Sequence, residues 1–403
     1  MKILMIGPSK SEIQNYGLGL ATENIAKALS QELDLTIISP SAATELSQSS
    51  DEKHISVTIE ERLLDAKSVD ATAVQINVES LLTPYFYHAS KDTTNQEEVI
   101  DFSIEIQEAL NQYNKSVMEE VATLNYDLIY AHDWLSIGAA MQLKTKYNKP
   151  FVLHIHALDY DRVGKKSSSW IYQLEKEGMQ AADVIIAVSQ YHADIIHKVY
   201  GIDKQKIKVV SLGIDPLKAV DYSSPFEENI ILFAGRLSQQ KGVFAFIEIA
   251  AQLLIEHKDL KFVIAGDGEL AQEVVSKINE KGLSGNFSFT GLLERRALHA
   301  LMRESKALVV PSISEPFGLV AMEAALNDLP IVISQHSGAI EVLKNCFIPK
   351  SDAIADYVEE VEKVLANPKL VKKAIEKNKE AASSRSWKHV GDDILKILVE
   401  ENE

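Results

Sequence analysis

Residues 307–323 read Ala307-Leu-Val-Val-Pro311-Ser-Ile-Ser-Glu315-Pro-Phe-Gly-Leu-Val-Ala-Met-Glu323. An unbroken apolar run ending in proline is a buried strand, and the second apolar stretch is the opening of a helix. Two carboxylates eight residues apart, one before the helix and one roughly two turns in, present to one ligand from different depths. Phe317, Gly318 and Leu319 fall at the helix N-terminus, whose unpaired N–H groups attract anions. Glycine there lets a ligand approach the backbone. A helix cap and a solvated helix charge are the alternative reading of Glu315 and Glu323.

Working outward, the same strand–loop–helix unit recurs along the chain. Strands are expected at 1–7, 35–39, 127–131, 151–156, 184–189 and 207–211, with helical patterns at 20–33, 136–147, 168–181 and 190–200. After 216–225, which begins and ends in proline, the pattern restarts with strands at 229–234, 261–265, 286–290, 307–310 and 331–334. The expected fold is α/β: two doubly wound, Rossmann-like parallel-sheet domains, 1–218 and 225–383, facing a cleft, with a terminal segment 384–403. Ligands of open α/β sheets bind where strands end in their carboxyl termini, so the chemistry belongs on those loops. Region 54–110 breaks the alternation, with strands at 55–59 and 74–78 and a long helix at 97–124. Its aromatic segment 81–87, which includes Tyr85, either stacks on sugar or packs a core.

The loop after the strand at 229–234 carries Arg236 and Lys241 and runs into a helix. Two fixed cations are what a diphosphate needs, both in the ground state and as charge grows on departure. In a chain of net charge −17, such a pair at a strand's end stands out. His154-Ile-His156 ends a first-domain strand, and His132-Asp133-Trp134 ends its neighbour and is placed on the same cleft. We read His-x-His as no metal site, since its side chains share a face only at the strand's end and no cysteine or acid has ligand spacing nearby. One such histidine can contact a sugar hydroxyl. Gly17-Leu-Gly19 precedes the first helix. It lies too far from its strand for a dinucleotide fingerprint and lacks the later acidic residue.

The charge of −17 disfavours nucleic acid and anionic lipid as partners. The first apolar run, Ile3 to Ile6, is too short for a signal peptide or a membrane span, so a cytoplasmic protein is expected. One cysteine, Cys346, supports neither a disulfide framework nor a cysteine zinc site. No oligomeric state is legible.

Taken together, the motifs at 131–134, 154–162, 175–184, 235–242, 265–268, 311–323 and 333–343 resemble the GT-B glycosyltransferases of family four, the retaining group that includes bacterial and archaeal glycogen synthases. The resemblance implies a terminal helix around Trp387 crossing back to the first domain. It implies that Arg236 and Lys241 hold the donor diphosphate, Glu315 contacts the donor sugar, and Glu323 binds the ribose. It also implies that amides around Phe317–Leu319 complete the donor site, that His156 supports catalysis at the sugar, and that Gly17 and Gly19 form a donor-side loop. No cofactor or metal is expected, the nucleotide sugar (ADP-glucose or UDP-glucose) being a substrate. The expected activity is retaining transfer of a hexose, glucose by this resemblance, to a glycan hydroxyl. A cell-surface polysaccharide transferase with a small or lipid-linked acceptor and a catalytically silent sugar-binding protein are the alternatives.

Overall fold

The computed structural model describes residues 1–7, 17–42, 57–60, 72–78, 103–163, 167–216 and 229–402. The aromatic segment 81–87, with Tyr85, lies outside them.

The first sheet contains β1 (Lys2–Ile6), β2 (Asp34–Ala42), β3 (Val57–Glu60), β4 (Thr72–Val78), β5 (Leu128–His132), β6 (Phe151–Ile155), β7 (Val184–Ala187) and β8 (Ile207–Val209) in the order β3-β4-β2-β1-β5-β6-β7-β8. Seven strands run parallel, and edge strand β3 pairs antiparallel to β4. That reversal is where the alternation breaks in the sequence. β5, β6 and β7 are buried along their whole length, as a sheet covered on both faces requires. The cover comes from α1 (Gly17–Leu29), α2 (Ser103–Glu120), α3 (Asp133–Tyr147), α4 (Asp159–Val163), α5 (Trp170–Ala181) and α6 (Gln190–Lys198). Ser169 and Ser189 start α5 and α6 as side-chain caps, accepting from the N–H groups of Tyr172 and His192. Asn148, in the left-handed region at φ 50°, ends α3.

The second sheet is all parallel: β9 (Ile230–Ala234), β10 (Lys261–Ala265), β11 (Phe287–Gly291), β12 (Ser305–Val310) and β13 (Ile331–Ile333), ordered β11-β10-β9-β12-β13. Around it lie α7 (Val243–Glu256), α8 (Ala271–Glu280), α9 (Arg295–Glu304), α10 (Leu319–Leu326), α11 (Ile354–Ala366) and α12 (Pro368–Ser384). In both sheets the strand order reverses beside the first strand, which opens a crevice at the carboxyl ends.

The last helix, α13 (Trp387–Asn402), leaves the second sheet and packs on α1. A Cβ on Gly391 would meet Ala28 Cβ at 2.5 Å, so glycine sets how closely the two helices approach. Trp387, Val390, Ile394 and Leu398 are buried in one core with Ala21, Ile25 and Leu29. Arg385 locks the crossing by donating to the Ser211 carbonyl, and Ile214 N donates to the Arg385 carbonyl at 2.9 Å. Among the described residues no helix is long and apolar enough to cross a membrane.

Candidate active site

Loops from the carboxyl ends of both sheets enclose a cavity of 320 Å³. The second sheet contributes Arg236 and Lys241 after β9, Gly266 after β10, Arg295 after β11, and Ser312 and Glu315 after β12. Phe317, Gly318, Leu319 and Glu323 follow along the start of α10, and the first domain adds Leu20, Ala21, His156, Ala157 and Arg162.

The cationic loop and the acidic loop meet directly. Lys241 Nζ donates to Glu315 Oε2 at 2.6 Å, and Ser312 Oγ donates to the same oxygen at 3.2 Å. Glu315 is 8% exposed and Lys241 24%, so the pair is sheltered with an open side toward the cavity. An ammonium has three donors, and one is spent here. Gly318 precedes α10 at φ 102°, and no acidic side chain occupies the first turn of that helix. Its leading N–H groups therefore keep their positive character beside Lys241 and Arg236. Glu323, which lines the same cavity, accepts from Arg295 Nε at 2.7 Å. Burial works against its ionisation, yet His299 and Arg295 hold its carboxyl below the usual range.

The loop carrying Glu315 is pinned from both domains. Gln240 Nε2 donates to the Ser314 carbonyl at 3.0 Å, and Ser314 Oγ donates to Asp161 Oδ1 of the first domain at 2.6 Å. Ser189 Oγ donates to the Pro316 carbonyl at 2.6 Å. The Glu341 carboxylate accepts from the first amides of α6, Gln190 N at 2.8 Å and Tyr191 N at 2.7 Å. None of these ties is visible as a local motif, because each joins residues more than 70 positions apart. Ser189 and the Asp161 that follows the His154 strand were, however, in the stretches that carried the resemblance or ended strands.

Three sequence readings change. Gly17 and Gly19 form the first turn of α1 instead of a loop before it, and the cavity wall is made one turn later by Leu20 and Ala21. His132, Asp133 and Trp134 do not line the cavity: they are buried at 0%, 2% and 2% exposure. The chain turns inward at Asp133, φ 55°, whose carboxylate accepts from His156 N at 2.7 Å and so supports the wall from behind. Finally, His154 and His156 do share a face, as residues two apart in a strand must. Parallel pairing sets His132 beside His154, and the three rings stack. Centroids are 4.1 Å apart for His154 and His156 and 5.2 Å for His132 and His156, with His132 Nδ1 and His156 Nε2 in a 2.9 Å hydrogen bond.

One ring nitrogen from each of His132, His154 and His156 lies within 4.8 Å of the others, a buried grouping that could hold a metal ion. His156 Nε2 is committed to His132, and its enclosed Nδ1 has no hydrogen-bond partner. Burial, with the neighbouring His192, lowers the His156 pKa to about 3, and burial likewise puts His132 and His154 well below 6.5. These imidazoles are neutral at neutral pH.

That stack predicts a pH dependence. An unfolded chain protonates the three histidines below about pH 6.5, while in the fold burial keeps His132 and His154 neutral well below that and His156 neutral to about 3, so they cost stability as pH falls from 6.5. Burial raises Asp133 to about 7 and Glu175 to about 8, which acts oppositely: the fold keeps protons that unfolded carboxylates release above about pH 4, so stability falls as pH climbs toward 8. The melting temperature should peak near pH 6.5 and fall most steeply below about pH 4, where the histidines go uncompensated. Thermal melts from pH 3.5 to 9 check this, and a plateau down to pH 4 followed by no loss would contradict it.

The family description "Glycosyl transferases group 1" matches residues 218–381, and "Glycosyltransferase Family 4" matches 102–217. An uncharacterized glycosyltransferase of Methanocaldococcus jannaschii is 30% identical over 237 residues, 55% of this chain and 60% of that protein. The glycogen synthase of Mycobacterium tuberculosis is 32% identical over 228 residues, 54% of each chain. The chain thus spans a little over half the length of these curated relatives. Sucrose-phosphate synthase from Thermosynechococcus elongatus has the same fold, with a TM-score of 0.75 at 17% identity, covering 99% of this chain and 98% of that one.

Proposed function

From the premise that this chain belongs to the GT-B glycosyltransferases, we propose that it is a retaining enzyme that moves a hexose from a nucleoside-diphosphate sugar to a glycan hydroxyl, as glycogen synthases do. One observation carries the reading: Arg236, Lys241, Glu315 and the N-terminus of α10 converge on a single interdomain cavity. The relative named glycogen synthase supports glucose as the sugar and a glucan as the acceptor.

In this reading the diphosphate lies against Arg236, the two remaining donors of Lys241 and the leading amides of α10. As the bond to the sugar breaks, negative charge grows on the leaving oxygen where these groups are already in place, so no reorganisation is needed. Lys241 also links the two halves of the reaction, since its ammonium touches Glu315, placed against the donor sugar. Glu323 takes the ribose. His156 contributes a neutral imidazole to the cavity wall, and its depressed pKa makes it a hydrogen-bonding group and not a proton donor at neutral pH.

Among the described residues the carboxylates lining the cavity are Glu315 and Glu323, and both are engaged by cations. Neither is a poised nucleophile. Retention therefore comes from departure and attack on one face, with the acceptor hydroxyl entering where the diphosphate leaves. Fixed cations and a helix terminus supply the charge that a metal ion would otherwise supply, so the reaction proceeds without one. Residues of both domains wall the cavity, which keeps water from the reacting carbon.

Purified protein incubated with ADP-glucose, UDP-glucose and other nucleotide sugars, with and without glycogen, tests the proposal. Release of nucleoside diphosphate from at least one donor, accelerated by glycan and unchanged by chelator, is expected. Absence of turnover with every donor would overturn it.

A further inference from the structure

Helix α9 turns Arg295 and His299, one helical turn apart, toward the Glu323 carboxylate of α10. Arg295 Nε donates to Oε1 at 2.7 Å, and His299 Nε2 lies 3.7 Å from the same oxygen. Both attentions fall on Oε1; no described residue donates to Oε2. Glu323 is only 10% exposed and lines the cavity, so that small open area belongs to the side facing a ligand. Arg295 lines the cavity too.

Two cationic-side partners converging on Oε1 narrow the arrangements open to the carboxylate and leave Oε2 without a described donor. We infer that Arg295 is a positioning residue that aims Glu323 Oε2 at the vicinal hydroxyls of the donor ribose, and that this pair sets a preference for ribonucleotide over deoxyribonucleotide donors. The inference rests on the nucleotide-sugar reading above. Its chemistry is simple: an anchored acceptor rewards a hydroxyl that is present, and a donor lacking that hydroxyl gains nothing from the anchor.

The test compares wild type, Arg295→Ala and Arg295→Lys on the best ribonucleotide donor and on its 2′-deoxy and 3′-deoxy counterparts. On the ribonucleotide donor, Arg295→Ala should lose about tenfold in kcat/KM, carried by KM with kcat nearly unchanged, the size expected for a hydrogen bond to a charged group. On whichever deoxy donor lacks the contacted hydroxyl, the same substitution should cost less than about twofold, and Arg295→Lys should recover part of the loss on the ribonucleotide. An equal loss on all three donors, a loss carried by kcat, or no loss would overturn the inference while leaving the transferase reading intact. A wild type that turns over no nucleotide sugar would overturn both.

Discussion

Arg236→Ala and Lys241→Ala are each expected to lower kcat by roughly 10²–10³ with every donor the enzyme accepts, the loss seen when one preorganised donor is removed from a site of growing charge. The two losses should not add, because both cations serve one leaving group. Lys241→Ala has a second consequence. It strips the cation from Glu315, whose side chain is 8% exposed, and an uncompensated buried carboxylate destabilises the loop that carries it. Steady-state kinetics at a temperature well below each variant's melting point separate the two effects. The double variant Lys241→Met with Glu315→Gln should regain stability without regaining turnover. Either single variant turning over at more than about a third of the wild-type rate would remove its residue from the charge-stabilising role.

Gly242→Val should cost more than about 3 kcal/mol of stability, among the larger effects available to one substitution. Gly242 sits at φ 70° immediately before α7, a conformation that β-branched residues resist. A Cβ there would lie 2.0 Å from the Pro311 carbonyl oxygen and 2.8 Å from its carbon. Neither atom is the end of a flexible side chain; both belong to the backbone that leads into Ser312 and Glu315. Relief must therefore push apart the two loops that Lys241 and Glu315 bridge, and turnover should fall with stability. Urea unfolding with kinetics on the same preparation measures both. A transition midpoint within error of wild type would show that the loops accommodate a side chain, contrary to this geometry.

Much of this arrangement is legible before any coordinates, for reasons that can be named. Runs such as Ala307-Leu-Val-Val310 mark parallel strands because both faces of the sheet are covered. Arg236 and Lys241 lie on the loop after β9 and Glu315 on the loop after β12, so reading onward from each strand into the following loop finds them. What the sequence hides is long-range. The triple histidine stack depends on β5 and β6 pairing in parallel with His132 opposite His154, a register no single segment encodes. The Ser314–Asp161 tie and the cap that Glu341 places on α6 are tertiary contacts between domains. Arg295 and His299 do carry a signal, four-residue spacing on one helix, but their shared target lies on another helix. Composition places Gly17 and Gly19 before the helix because glycine disfavours helix interiors, whereas they fall in the first turn of α1, where part of that cost is avoided.

The central claim is that Arg236 and Lys241 hold a pyrophosphate. Calorimetric titration of UDP and ADP, beside uridine and adenosine, into wild type and the Arg236→Ala, Lys241→Ala double variant tests it directly. The account predicts that the double variant binds the preferred diphosphate at least about 100-fold more weakly, as befits two charge-assisted contacts, while affinity for the matching nucleoside changes less than about threefold. Equal weakening for nucleoside and diphosphate, or undiminished diphosphate affinity, would contradict it.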